Sequence, residues 1–261
     1  MILKLIRPLA VIDLETTGLD TDADRIVELA ILEVDARGKR MPHRWLVNPG
    51  VPIPREATQT HGISDRDVKG QPKFRVIAQK VACILRGRDV MGFNIERFDL
   101  PLLLREFERA RHPFSLRGRK VIDALAICLV ERSRKLEEAV EFYCGRVHEG
   151  AHGAVADTVA CWDLLQAQLR RYPHLPRTVG DLHEVLRPGG PLFLDSGRRF
   201  RWEAERAVFT FGKYVGVAVS KVAERHSSYL EWMVDHDFAY DTLAIVKAAL
   251  RGKYPKRKRM R

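Results

Sequence analysis

Leu9-Ala10-Val11-Ile12-Asp13-Leu14-Glu15-Thr16-Thr17-Gly18 is the stretch on which the fold turns. Its first part, Leu9 to Leu14, is a short apolar run of the kind that forms a buried strand. In a strand, residues i and i+2 face the same side, so Asp13 and Glu15 project together at its end. Two carboxylates held side by side there repel one another, and a hard divalent cation is the natural counter-charge. Taken alone, the pair also suits a solvated strand end with two ordinary surface acids.

Outward from this run, Ile26 to Val34 alternates roughly with period two, and Arg44 to Val47 is its expected neighbour. Gly38-Lys39 supplies the turn between them, so an antiparallel meander opens the chain. From about Pro72 the period becomes helical, with Phe74, Ile77, Val81 and Ile84/Leu85 on one face. A strand at Asp89 to Gly92 leads to a helix through Leu102 to Ala110. A further strand, Lys120 to Ile122, leads to a helix beginning near Asp123. Val155, Val159, Trp162, Leu165 and Leu169 mark a long amphipathic helix. Strands alternating with helices after a meander predict an α/β fold, a mixed sheet flanked by helices.

The pattern then breaks. Tyr172 to Pro176 holds two prolines, and Arg187 to Pro191 reads Arg-Pro-Gly-Gly-Pro, with room between them for a short helix at Val179 to Leu186. Beyond, Arg199 to Trp202 and Ala207 to Phe211 read as a hairpin. Two helices follow, one carrying Tyr229, Leu230, Trp232 and Met233, the other Leu243 to Leu250. The expected organisation is a first domain at 1–175, a linker at 176–191, a small C-terminal α+β domain at 192–252 and a basic tail at 253–261. A unit as short as 192–252 is stable chiefly when docked on a larger one.

Two further acids stand at element ends. In Gly92-Phe93-Asn94-Ile95-Glu96-Arg97-Phe98-Asp99-Leu100-Pro101 a strand ends, the chain turns at Asn94, and Asp99 precedes a proline suited to a helix's first turn. By itself Asp99 is equally an acid favoured by the helix dipole. In His152-Gly153-Ala154-Val155-Ala156-Asp157 the long helix opens. Five helical residues rotate a side chain by about 140°, so His152 reaches the side of Asp157 only from the preceding loop. Gly150 and Gly153 give that loop its freedom.

Composition narrows the classes. The 261 residues are 46% hydrophobic and 30% charged, enough for a sizeable core and against global disorder. A net charge of +11 favours an anionic partner, nucleic acid or an anionic membrane surface. Six of those charges lie in the acid-free run Lys253 to Arg261, which is also what a solvated terminus looks like. Cys83, Cys128, Cys144 and Cys161 show no CxxC spacing and sit in apolar, helix-like stretches, so buried thiols are expected and a disulfide framework is not. The apolar start Met1 to Ile6 is cut by Lys4, Arg7 and Pro8, and no later run approaches a membrane span. A cytoplasmic protein without membrane association is expected.

Strand-borne Asp-x-Glu, then Asn-x4-Asp at a strand-to-helix turn, then His-x4-Asp at a helix start resembles the three motifs of the DEDDh (DnaQ-like) 3′→5′ exonuclease superfamily, to which the proofreading epsilon subunit of bacterial DNA polymerase III and exonuclease X belong. The likeness covers roughly residues 8–172. It implies a ribonuclease-H-like fold with a five-stranded sheet. Asp13, Glu15, Asp99 and Asp157 are implied metal ligands for two divalent cations, Mg²⁺ or Mn²⁺, with His152 as general base. Two such ions serve to activate water and to neutralise charge on the phosphoryl oxygens. By the same resemblance Thr16, Thr17, Leu19, His61 and Asn94 bind the 3′ end, His61 within Thr60-His61-Gly62-Ile63. Leu19 is expected to wedge between bases or, alternatively, to enter the core. Phe93 departs from the pattern, standing where many relatives have His.

The expected partner is the 3′ end of single-stranded DNA, with RNA 3′-trimming as the second reading and a DNA polymerase as a further partner. A non-enzymatic nucleic-acid-binding adaptor is disfavoured, because four converging carboxylates repel phosphate unless metal intervenes. A membrane-surface protein lacks an amphipathic anchor or a lipidation signal. Phe209-Thr-Phe-Gly-Lys-Tyr-Val-Gly216 and Tyr229-Leu-Glu-Trp-Met233 resemble a small accessory domain of some bacterial exonucleases. Their aromatic and basic residues suit either base stacking or a mini-core.

Overall fold

The computed structural model describes residues 2–128, 135–188 and 190–257. Five strands form one mixed sheet: β1 (Leu9–Thr16), β2 (Ile26–Val34), β3 (Arg40–Leu46), β4 (Asp89–Gly92) and β5 (Val121–Asp123), in the order β3-β2-β1-β4-β5. The meander β1-β2-β3 is antiparallel, while β4 and β5 run parallel to β1. The parallel pairings need crossovers, and helices make them.

The helices are α1 (Arg55–His61), α2 (Asp65–Val68), α3 (Phe74–Leu85), α4 (Asp99–Arg109), α5 (Ala124–Cys128), α6 (Leu136–Cys144), α7 (Ala154–Arg171) and α8 (Val179–Leu186). On one face of the sheet Ala10, Ile12 and Leu14 of β1 join Leu29 and Ile31 of β2 in a core with Phe74, Val81, Leu102 and Phe107 of α3 and α4. On the other face lies α7, packed against β1 and β2. With both faces covered, all nine residues of β2 are buried, Glu28 and Glu33 among them. The period-two expectation for this strand assumed one wet face, and it fails because neither face is wet.

Three helices escaped the sequence reading. None of the α1 residues is buried, α2 is one turn, and α6 buries only Ala139 and Val140, so none carries a strong apolar stripe. Of the cysteines, Cys128 and Cys161 are buried as expected, but Cys83 is exposed and Cys144 only partly covered; none of the four is in a disulfide among the described residues.

Backbone proximity groups the described residues of 2–125 and 135–182 in one compact unit, and those of 126–128 and 183–257 in a second. The second unit contains the hairpin β6 (Phe200–Glu203) and β7 (Arg206–Phe209), and three helices: α9 (Val219–Arg225), α10 (Ser227–Val234) and α11 (Tyr240–Leu250). Helix α9 adds to the two expected. Phe200, Phe209, Leu230, Met233 and Val246 form its core. Buried Asp195 organises that core by accepting the backbone N–H of Phe200 at 3.0 Å and a hydrogen bond from the Thr242 hydroxyl. Among the described residues no helix is long and apolar enough to cross a membrane.

Candidate active site

β1 places Asp13 and Glu15 on the sheet face covered by α7, and Asp157 stands in the first turn of that helix. One carboxylate oxygen from each of the three lies within 4.8 Å of the others. Asp99 is the first residue of α4 and is buried; its Oδ1 accepts the backbone N–H of Leu14 at 3.1 Å, which ties α4 to β1 between the two strand acids. The β1–β2 register shifts between Glu15 and Thr16, so the strand becomes irregular just past its second acid. Close approach of β4 depends on Gly92. A Cβ there would lie 2.8 Å from the Ile95 Cβ and 2.9 Å from the carbonyl oxygen of Ile12.

Burial, joined at Asp13 and Glu15 by the charges of neighbouring acids, holds all four carboxyls above their ordinary range. Burial, followed by the charges of Asp99, Asp157, Glu15 and Glu28, holds Asp13 well above the usual carboxylate range. Glu15 is pushed up to about 8, first by burial and then by Asp157, Glu28 and Asp99. Asp99 is raised by burial, with Asp123 adding to the effect, and Asp157 is raised by burial against the opposing hydrogen bond from His148. Such a set loses protons readily only when a cation is brought to it. Its donors are all hard carboxylate oxygens, the chemistry that suits Mg²⁺ or Mn²⁺, so the residues fit the group that the motifs imply.

Three side chains important to this arrangement were not singled out in the sequence. His148, buried in the loop before α7, hydrogen-bonds through Nε2 to Asp157 Oδ1. Glu28 sits opposite Glu15 in the β1–β2 register. Its Oε1 pairs with Arg44, and its Oε2 accepts the Ala154 N–H at 3.0 Å, joining β3 to the start of α7. Asp123 ends β5, where its Oδ1 accepts the N–H groups of Asn94 at 2.9 Å and Leu125 at 3.1 Å. A glutamate inside the apolar run Ile26 to Val34 was a visible signal; the other two gave none beyond being polar.

His152 stays in the loop before α7, with a left-handed φ of 63°. Its backbone N–H donates to Asp157 Oδ2 at 3.2 Å, while its half-exposed imidazole meets Glu137 Oε1 at 3.4 Å. His61, the last residue of α1, lies 3.2 Å through Nε2 from the Thr16 carbonyl and accepts the Ile63 N–H at Nδ1, 3.0 Å. Those partners define an imidazole with its proton on Nε2, and burial lowers its pKa. The Thr17 N–H donates to the Arg25 carbonyl at 2.9 Å, and its hydroxyl to Asp24 Oδ1 at 2.7 Å. Asn94 turns the chain at φ 61° and anchors it through Asp123. Leu19 is 86% exposed, so it does not enter the core.

The strand order, the mixed pairing and the helices on both faces are those of a ribonuclease-H-like exonuclease fold. A family profile, RNase_T, described as exonuclease, matches residues 10–165, and the chain belongs to that family. It is 29% identical over 198 residues to a DNA polymerase III subunit epsilon-like protein of Rhodobacter capsulatus, covering 71% of this chain and 27% of that one. Identity is 26% to the 3′-5′ exonuclease DinG of Staphylococcus haemolyticus, over 64% of this chain and 19% of that protein. It is again 26% to the DNA polymerase III subunit epsilon of Treponema pallidum, over 61% of this chain and 75% of the relative. In fold it is similar to E. coli exonuclease I in complex with a dT13 oligonucleotide, with a TM-score of 0.57 at 19% identity, 64% of this chain and 42% of that one being covered. The chain thus spans about a fifth to a quarter of the first two relatives.

Proposed function

We propose that the chain is a metal-dependent 3′→5′ exonuclease that removes nucleoside monophosphates from the 3′ end of single-stranded DNA. The observation that carries this reading is the meeting of Asp13, Glu15 and Asp157 within 4.8 Å in a chain of the exonuclease family. With Asp99, these carboxylates would hold two divalent cations. When bound, such ions acidify the attacking water and offset charge on the phosphoryl oxygens.

His152 accepts the proton of that water. In the structure its imidazole rests against Glu137, so it turns from that carboxylate toward the acids while its backbone N–H keeps Asp157 in place. His148, fixed to the other oxygen of Asp157, holds the carboxylate in one orientation. Exposed Leu19 is free to wedge against the terminal bases, and His61 and Asn94, with the backbone at Thr16 and Thr17, frame the 3′-terminal nucleotide. Residues 1–175 carry this activity, and 192–252 with the basic run at 253–261 are an accessory module for nucleic acid. In that module Phe209 and Phe211 are core, whereas Trp232 is exposed and stacked on Tyr229 at 5.3 Å.

The test is release of mononucleotides from 3′-labelled single strands, DNA against RNA, with Mg²⁺ or Mn²⁺ and an EDTA control. Metal-dependent release from DNA is expected. Faster release from RNA would assign the substrate to the other polymer, and no release from either would overturn the proposal.

A further inference from the structure

A second concavity lies in the first unit, away from the carboxylates. Its volume is about 490 Å³, and Arg37, Arg40, Arg146, Asp163, Gln166 and Arg170 line it. Arg37 lies in the β2–β3 turn and Arg40 begins β3, Arg146 follows α6, and the last three belong to α7. Gln166 comes nine residues after Asp157 on α7. At the helical rise and rotation it therefore sits about 13 Å further along the axis and on the opposite side. The cavity is a separate place.

Its charge is one-sided. Among the described residues Asp163 is the only acid in the lining, and it is shared: Arg40 donates to Oδ1 at 3.1 Å and Arg146 to Oδ2 at 3.3 Å. The Arg37 backbone N–H donates to Asp35 Oδ1 at 2.8 Å, but among the described residues the guanidiniums of Arg37 and Arg170 form no salt bridge. Four guanidiniums gathered at one concavity repel one another unless an anion joins them, and their planar forks match phosphate oxygens two at a time.

A second observation points the same way. Gln166 is 7% exposed, and its Oε1 accepts the N–H groups of Ile2 at 2.7 Å and Leu3 at 3.4 Å. Those two donors orient the amide and turn Nε2 away from them. That nitrogen is buried and has no hydrogen-bond partner. A buried donor left unmade is costly, so the Gln166 amide is held in this orientation by the Ile2 and Leu3 N–H groups at the edge of a cavity whose charge comes from the arginines. The volume lies in the range of small-ligand sites rather than of a groove that tracks a polymer.

We propose that this cavity binds a nucleoside monophosphate through its phosphate, held by Arg37, Arg40, Arg146 and Arg170 over Gln166, at a site independent of the carboxylates. The phosphate chemistry stands on the lining alone. The choice of a nucleotide rests on the proposed exonuclease activity, which would release such molecules.

The experiment is calorimetric titration of the full chain in EDTA with thymidine 5′-monophosphate and, separately, with inorganic phosphate. The Arg37→Ala/Arg170→Ala double variant changes two exposed side chains, and its fold is checked by circular dichroism. The expected result is nucleotide binding tighter than phosphate binding, weakened at least about tenfold in the double variant by loss of charge-assisted bonds. Asp13→Asn should bind as the natural chain does. Absence of binding, equal binding by the double variant, loss in Asp13→Asn, or phosphate bound as tightly as the nucleotide would each overturn the proposal. Nucleotide binding with the expected variant pattern in a chain that hydrolyses neither DNA nor RNA would uphold this site and sink the exonuclease reading alone.

Discussion

His148 and His152 approach the same carboxylate from the two sides, one through its imidazole and the other through its backbone N–H. That division gives them separable roles. His152→Ala keeps the backbone bond to Asp157, so divalent-metal affinity measured by calorimetry should hold while hydrolysis falls about 10²- to 10⁴-fold, the usual share of a general base. His148→Ala frees an oxygen of Asp157, and metal affinity should drop about 10- to 100-fold, as on loss of a group that orients a ligand. His148→Gln retains a donor and should recover part of that affinity, which a purely space-filling role would not predict. The strand-end acids and the His-x4-Asp spacing were legible because each motif lies within a few residues of sequence. His148 and Glu28 were not, since their meaning is the pairing with Asp157 and with Arg44 and Ala154, supplied only by the tertiary fold.

β1, α4 and α7 carry the acids of the site, and β4, which leads toward α4, meets β1 at a glycine. Because a methyl on Gly92 would press on Ile95 and on the Ile12 carbonyl, Gly92→Ala should destabilise the chain by about 1–3 kcal/mol, read as a lower midpoint in urea. An unchanged midpoint would mean that β4 does not approach β1 as closely as described. The expected bounds of β2 and of the short β4 coincide with the strands observed, and α3 carries the apolar face that its spacing implies. What the pattern could not supply was the environment. β2 was expected to alternate, but helices cover both of its faces, and its two glutamates are buried against Arg44 and Arg88. Short α1, α2 and α6 hold too few buried side chains for any period to show.

For the molecule as a whole, the crowded acids tie stability to pH and to metal. Glu15 keeps its proton up to about pH 8 when folded but has an ordinary value of 4.5. Between those values the folded chain holds a proton that the unfolded chain has released, so stability present at low pH is lost as pH rises through about 8. Asp13, Asp99 and Asp157 are shifted in the same direction. His61, lowered by burial, acts oppositely below its ordinary value of 6.5, so the clean window lies above that pH. In EDTA the melting temperature should fall between about pH 6.5 and 8.5, and Mn²⁺ should restore it more at the upper end than at the lower. A melting temperature that climbs across that window without metal would contradict the account of the acids.

Hydrolysis from the 3′ end by the Asp13 carboxylate cluster is the central claim, and a 5′-labelled single-stranded DNA followed by gel with Mg²⁺ tests it most directly. The natural chain should shorten the strand one nucleotide at a time from its 3′ end, with no shortening in EDTA or by Asp13→Asn. Internal cuts, cleavage without metal, or full turnover by Asp13→Asn would contradict it.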